Sequence, residues 1–125
     1  MSTDVPLTAA GQQRAAHLAE LLKEVKLAQV YSTNTLRTRS TAAPAATAAG
    51  LSITIYGPRP DSLFIRQLQA LKGNVLVVGH SNTVDDIVNG LMQQQLMQDL
   101  PDSTYGRLYI ITRKGGRVKF TERGF

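Results

Sequence analysis

The sequence has no cysteine, no tryptophan and only two histidines, His17 and His80, among 125 residues. Without cysteine there is no disulfide framework, no thiol nucleophile and no thiolate metal site. Two histidines leave no room for an all-histidine metal site, and nothing else in the sequence calls for a metal or another cofactor. Aromatic residues make up 6% of the chain and do not interleave with basic runs, so no nucleic-acid partner is expected. No apolar run is long enough to span a membrane and no signal peptide is evident, so no membrane partner is expected either. What remains is 42% apolar and 18% charged, the composition of a soluble globular protein. At this length one domain over 1–125 is expected, with a real core and little to spare. The net charge of +5 suits an anionic ligand, but a basic surface alone would also produce it.

One stretch organises the rest. Val75-Leu76-Val77-Val78 is apolar at every position and reads as a strand buried on both faces, with helices on both sides of its sheet. It stops at Gly79 and presents His80, Ser81, Asn82 and Thr83. Val84, Ile87, Val88 and Leu91 then follow at helical spacing. A strand entering a helix through a small polar turn puts His80 at the carboxyl end of the strand, where open α/β sheets place their ligands. The helix start beside it suits an anion.

In chain order, Thr8 is an N-cap for a helix over Gln12 to Val25, with Leu18, Leu21, Leu22 and Val25 as its apolar stripe. Ala28 to Tyr31 is a short strand. Asn34 is the candidate cap of an alanine-rich helix that contains Pro44 and closes at Gly50. Leu51 to Tyr56 is a strand with one wetter face. Asp61 caps a helix through Lys72 that closes at Gly73. The 75–78 strand and a helix from about Thr83 to Met97 come next. Arg107 to Thr112 and Arg117 to Thr121 form a hairpin across Lys114-Gly115-Gly116. This alternation calls for an α/β fold: a mostly parallel sheet with helices on both faces and a C-terminal antiparallel hairpin. The chain opens on a helix with no strand before it, one element late for a doubly wound domain.

Two strand ends carry polar clusters, Ser32 to Arg39 and Gly79 to Thr83. If both strands are parallel, the clusters share one sheet edge, and Arg37 or Arg39 can reach His80. Arginine offers a planar fork to phosphate oxygens, and histidine can serve as nucleophile, donor or proton carrier. Gly79-His80-Ser81 also invites comparison with a serine-hydrolase elbow, with Ser81 as nucleophile. That motif needs glycine where Thr83 stands and a histidine later in the chain, and neither is present.

Three segments resemble the histidine phosphatase superfamily, which includes phosphoglycerate mutases and phosphohistidine phosphatases. PLTAAGQQRAAHLAELL resembles its leucine-threonine, glycine and alanine-rich helix. YSTNTLRTRSTA resembles its serine turn, arginine and following threonine. VLVVGHSNT resembles its strand-Gly-His block. The closing YGRLYIITRKGG is similar as well. The resemblance implies a phosphoglycerate mutase-like fold and phosphate monoester hydrolysis through a phosphohistidine. It selects Arg37 over Arg39, with Thr41 as its threonine, and maps the second histidine onto His80. Arg37 and His80 are then the catalytic candidates, and Arg37, His80 and Ser81 the phosphate-binding ones. A phosphorylated small molecule or phosphoprotein is the implied partner.

The departure from the pattern matters as much. The superfamily's Arg-His-Gly or Arg-His-Ala strand, which carries the phosphorylated histidine, has no counterpart here. His17 lies well inside the first helix and reads as a helix-surface histidine. Asp61 is in the segment of the usual acidic proton donor, but reads as a cap. A truncated, N-terminally incomplete phosphatase is therefore expected. The alternative is a pseudo-enzyme, a non-catalytic module that binds phosphorylated ligands. The absent first strand would lie between the 75–78 and 107–112 strands. Direct pairing of those two, or a replacement strand from the Met1–Leu7 lead or from a second copy in a homodimer, is expected over an open gap.

Overall fold

The computed structural model describes residues 7–57, 62–71, 73–79, 81–92, 107–114 and 117–124, with 62, 81–83, 107, 113, 114, 117 and 123 as backbone only. The elements run α1 (Ala9–Leu22), β1 (Leu27–Ser32), α2 (Leu36–Ala49), β2 (Ile53–Ile55), α3 (Ser62–Ala70), β3 (Asn74–Val78), α4 (Ser81–Met92), β4 (Arg107–Lys114) and β5 (Arg117–Gly124). β1 is central in a three-stranded sheet of order β2-β1-β3, and both of its neighbours are parallel to it. β4 and β5 form a separate antiparallel pair, with Lys114 opposite Arg117. The expected α/β architecture with a C-terminal hairpin is what forms.

Strand alternation divides the core in two. Val30, Ile53, Leu76 and Val78 point to one face, where Leu18 of α1 and Ala42, Ala45 and Ala46 of α2 pack on them. Tyr31 and Val77 point to the other, against Tyr56, Phe64 of α3 and Ile87 of α4. The first face is filled by alanines on α2, so that helix lies close to the sheet. The second is filled by rings. Tyr56 and Phe64 stack with centroids 4.6 Å apart, and Tyr31 meets Phe64 edge-on at 5.5 Å. Helices cover both faces as the apolar 75–78 run implied. Of that run only Leu76 is fully buried, and Val75, Val77 and Val78 are half-buried. The reason is position, since β3 is the last strand of its sheet.

Helix ends follow local chemistry. Thr8 caps α1 as expected, its hydroxyl accepting from Gly11 N–H at 3.1 Å. α1 stops at Leu22, so Val25 falls outside it, 36% exposed. His17 is exposed on α1. The cap of α2 is Thr35, not Asn34. Thr35 has extended backbone and accepts from Thr38 N–H at 3.3 Å, whereas Asn34 Oδ1 is engaged by Arg39. α2 continues through Pro44 and ends at Gly50, whose φ of +70° is the left-handed conformation that glycine adopts without strain. The expected cap Asp61 and the continuation of α4 to Met97 lie outside the described residues.

Direct pairing of the 75–78 and 107–112 strands is not found: β3 borders one sheet and β4 pairs with β5 in another. Leu108 of β4 joins the cluster that holds Leu76 and Val78, and α4 packs against β4. These contacts hold the hairpin beside β3 without a ladder between them. A replacement strand drawn from the lead at Met1 to Leu7 falls almost wholly outside the described residues.

Two substitutions test this packing. Leu18→Ala, at 1% exposure, should lower unfolding free energy by about 2–5 kcal/mol through loss of transfer and a cavity. Gly50→Ala meets no neighbouring atom within 4 Å, so its cost should be the backbone penalty alone, about 1–2 kcal/mol. Urea denaturation of the two variants measures both, and Leu18→Ala should be the more damaging.

Candidate functional site

The carboxyl edge of the sheet is closed by hydrogen bonds that converge on one carbonyl. Val78 O accepts from Thr33 N–H at 3.2 Å and from the Tyr56 hydroxyl at 3.3 Å. Ser32 O accepts from Tyr56 N–H at 3.0 Å. The last residues of β1 and β3, Ser32 and Val78, are in register. The chain leaving β1 toward Arg37 and the chain leaving β3 toward His80 therefore start from adjacent parallel strands, about 5 Å apart. That is the shared edge the sequence implied.

Arg37 is on the first turn of α2 and is exposed. Among the described residues its guanidinium makes no hydrogen bond or ion pair. Arg39 differs. It is half-buried, and its Nη1 donates to Asn34 Oδ1 at 2.9 Å. Arg39 is thus committed to the turn, and Arg37 makes no such bond among the described residues. Thr41 Oγ1 donates back to the Arg37 carbonyl at 2.9 Å. His80 lies outside the described residues, so its approach to Arg37 is not measured. Ser81 begins α4 and is described by its backbone alone. Asp61 is also outside the described residues.

A hydroxyl cluster that the sequence reading missed holds the turn before Arg37. Ser32 and Thr33 are fully buried, and Thr38 is 7% exposed. Ser32 Oγ donates to the Thr33 carbonyl at 2.8 Å. Thr33 Oγ1 donates to Thr38 Oγ1 at 2.9 Å, and Thr35 Oγ1 is 2.7 Å from the same atom. The threonines were visible in the sequence, but their convergence needs the strand end and the helix start to meet in space. The sequence reading also missed the Tyr56 hydroxyl.

An open groove of about 570 Å³ runs between β2 and α3, lined by Tyr31, Thr54, Tyr56, Phe64 and Leu71 among others. Its lining among the described residues is apolar, aromatic and neutral polar. An exposed ion pair, Lys23–Glu20 at 2.7 Å, sits where α1 leads into β1, at the opposite edge of the sheet. Its hydrogen bond and charge hold the Glu20 carboxyl below its usual range and the Lys23 amine above its own. Among the described residues no group of three or more histidines or carboxylates could hold a metal ion. No described helix is long and apolar enough to cross a membrane.

Comparison with known proteins agrees with this geometry. Residues 1–57 match the family model of the histidine phosphatase superfamily (branch 1). A probable phosphoglycerate mutase, GpmB, of Escherichia coli O1:K1 / APEC is 32% identical over 105 residues, which cover 80% of this chain and 48% of that protein. The counterpart from E. coli strain UTI89 / UPEC matches equally. In fold the chain is similar to mycobacterial glucosyl-3-phosphoglycerate phosphatase in complex with VO3. That match has a TM-score of 0.70 and 11% identity over 98% of this chain and 87% of the other.

The chain belongs to the histidine phosphatase superfamily.

Within that superfamily it is phosphatase- or mutase-like, and it spans about half the length of the curated relatives it matches. A mycobacterial hydrolase shares the fold as well, with a TM-score of 0.62 at 14% identity over 74% of this chain and 70% of the other. Tyr56→Phe keeps the ring that stacks on Phe64 and removes the hydroxyl that bonds Val78 O. It should cost about 0.5–1.5 kcal/mol of stability with the fold unchanged by circular dichroism.

Proposed function

We propose that this chain recognises a phosphoric monoester at the carboxyl edge of its sheet, with Arg37 and His80 holding the phosphoryl group and Ser81 contributing at the start of α4. The observation that carries the reading is Arg37 itself: an exposed guanidinium with no partner among the described residues, on a helix start next to the strand that leads to His80. A guanidinium fork binds two phosphate oxygens at once. It also stabilises the charge that gathers on those oxygens during phosphoryl transfer. The ligand class is a phosphorylated small molecule or a phosphoprotein.

Turnover is a separate matter. In the superfamily's route a histidine nitrogen attacks phosphorus, the leaving oxygen takes a proton from an acid, and water then hydrolyses the phosphohistidine. The only histidines here are His17 and His80, and no Arg-His-Gly or Arg-His-Ala occurs in the chain. His17 is exposed well inside α1 and does not stand in an Arg-His sequence. We therefore assign binding to the chain as it stands, and little or no hydrolysis by the phosphohistidine route.

Both claims can be measured. Vanadate or inorganic phosphate should bind the chain, and Arg37→Ala and His80→Ala should each weaken binding about 10- to 100-fold, the worth of charge-assisted hydrogen bonds. Equal affinity in both variants and the parent refutes the site. With a generic aryl phosphate, turnover should be near background. Acid-labile, base-stable phosphate trapped on His80 during turnover would show that the second histidine has become a nucleophile.

A further inference from the structure

Arg37 is an exposed residue among neighbours held by hydroxyls, and Thr38 is the centre of that arrangement. The Thr38 oxygen accepts from Thr33 Oγ1 at 2.9 Å and sits 2.7 Å from Thr35 Oγ1, while the Thr33 carbonyl at 2.9 Å and the Thr35 carbonyl at 3.2 Å are both within reach of its own proton. A hydroxyl has one proton and two lone pairs. With its proton on either carbonyl, Thr38 accepts from Thr35 Oγ1, and every bonding capacity of its oxygen is then used. Thr35 Oγ1 accepts in return from Thr38 N–H at 3.3 Å. One turn further on, Thr41 ties down the Arg37 carbonyl.

A buried hydroxyl is costly unless it is fully bonded, and alanine would fill this helix position with better propensity. What the hydroxyl adds is direction. It fixes the first turn of α2 to the end of β1. Successive side chains leave a helix about 100° apart, so fixing residue 38 fixes the direction in which its neighbour Arg37 departs. We propose that Thr38 is a positioning residue for Arg37: its knot with Thr33 and Thr35 sets the guanidinium at the sheet edge before a phosphate arrives. This rests on the reading that Arg37 binds phosphate.

The test is calorimetric titration of vanadate and of inorganic phosphate into the whole chain. Thr38→Val keeps the shape and removes the hydroxyl. It should weaken binding about three- to tenfold, the worth of one lost hydrogen bond. Thr38→Ser restores the oxygen and should stay within about twofold of the parent, well under the effect of one hydrogen bond. A purely structural threonine would change thermal stability but leave the Arg37 Nε–H order parameter in the folded chain as it was. In Thr38→Val that order parameter should fall. If Arg37→Ala binds as tightly as the parent, the phosphate reading fails and the proposal with it. If Arg37→Ala binds weakly while folded Thr38→Val binds like the parent, the reading stands and the positioning role is overturned. Failure of Thr38→Ser to rescue also overturns it, because methyl packing would then be the cause. If Thr38→Val does not fold, half-buried Thr35→Ala replaces it. Parental affinity in that folded variant overturns the proposal, and weakening of the same size supports it.

Discussion

The Val78 carbonyl is the point on which the carboxyl edge depends. It accepts one hydrogen bond from the backbone N–H of Thr33 and another from the ring hydroxyl of Tyr56. The three strands of the parallel sheet are thereby joined at their ends as well as along their ladders. A parallel sheet has no hairpin to set its register, so the ends must be fixed by contacts of this kind or by packing. Here both operate. Val78 sits on the alanine-filled face, and Tyr56 enters from the aromatic one. The two half-cores meet at the strand end that leads toward His80.

Much of the fold was legible because periodicity and caps are local. Thr8 and Gly50 mark the ends of their helices as the sequence suggested, and β4 and β5 pair as expected. The misplaced cap shows where local reading stops. Asn34 and Thr35 are adjacent and both can cap a helix. The choice was made by Arg39, which reaches back five residues to occupy the asparagine. The burial of β3 was overestimated for a similar reason. An apolar run reports what a strand can tolerate, while its place at the edge of the sheet decides how much of it is covered.

Of the candidate site, the sequence offered Arg37 through a motif resemblance, and among the described residues Arg39 is the arginine engaged in the turn. The hydroxyl cluster was not legible, because three threonines in a polar run look like any solvated turn until the strand end closes over them. Surface and buried threonine cannot be told apart by composition. The pairing of the hairpin beside β3 was likewise a matter of long-range geometry, held by Leu108 and α4.

Pro44 has a consequence for how α2 responds to thermal opening. Proline has no amide proton, so the Ser40 carbonyl receives no ladder bond from the residue four positions on. The helix is one bond weaker at the junction between the turn that bears Arg37 and the alanine segment packed on the sheet. Opening of residues 36–40 breaks one fewer helical bond than it would with any other residue at position 44. Sub-global opening tends to start at such seams. The stability of the arginine-bearing turn is thus set less by the helix it belongs to than by the strand end to which its hydroxyls are tied.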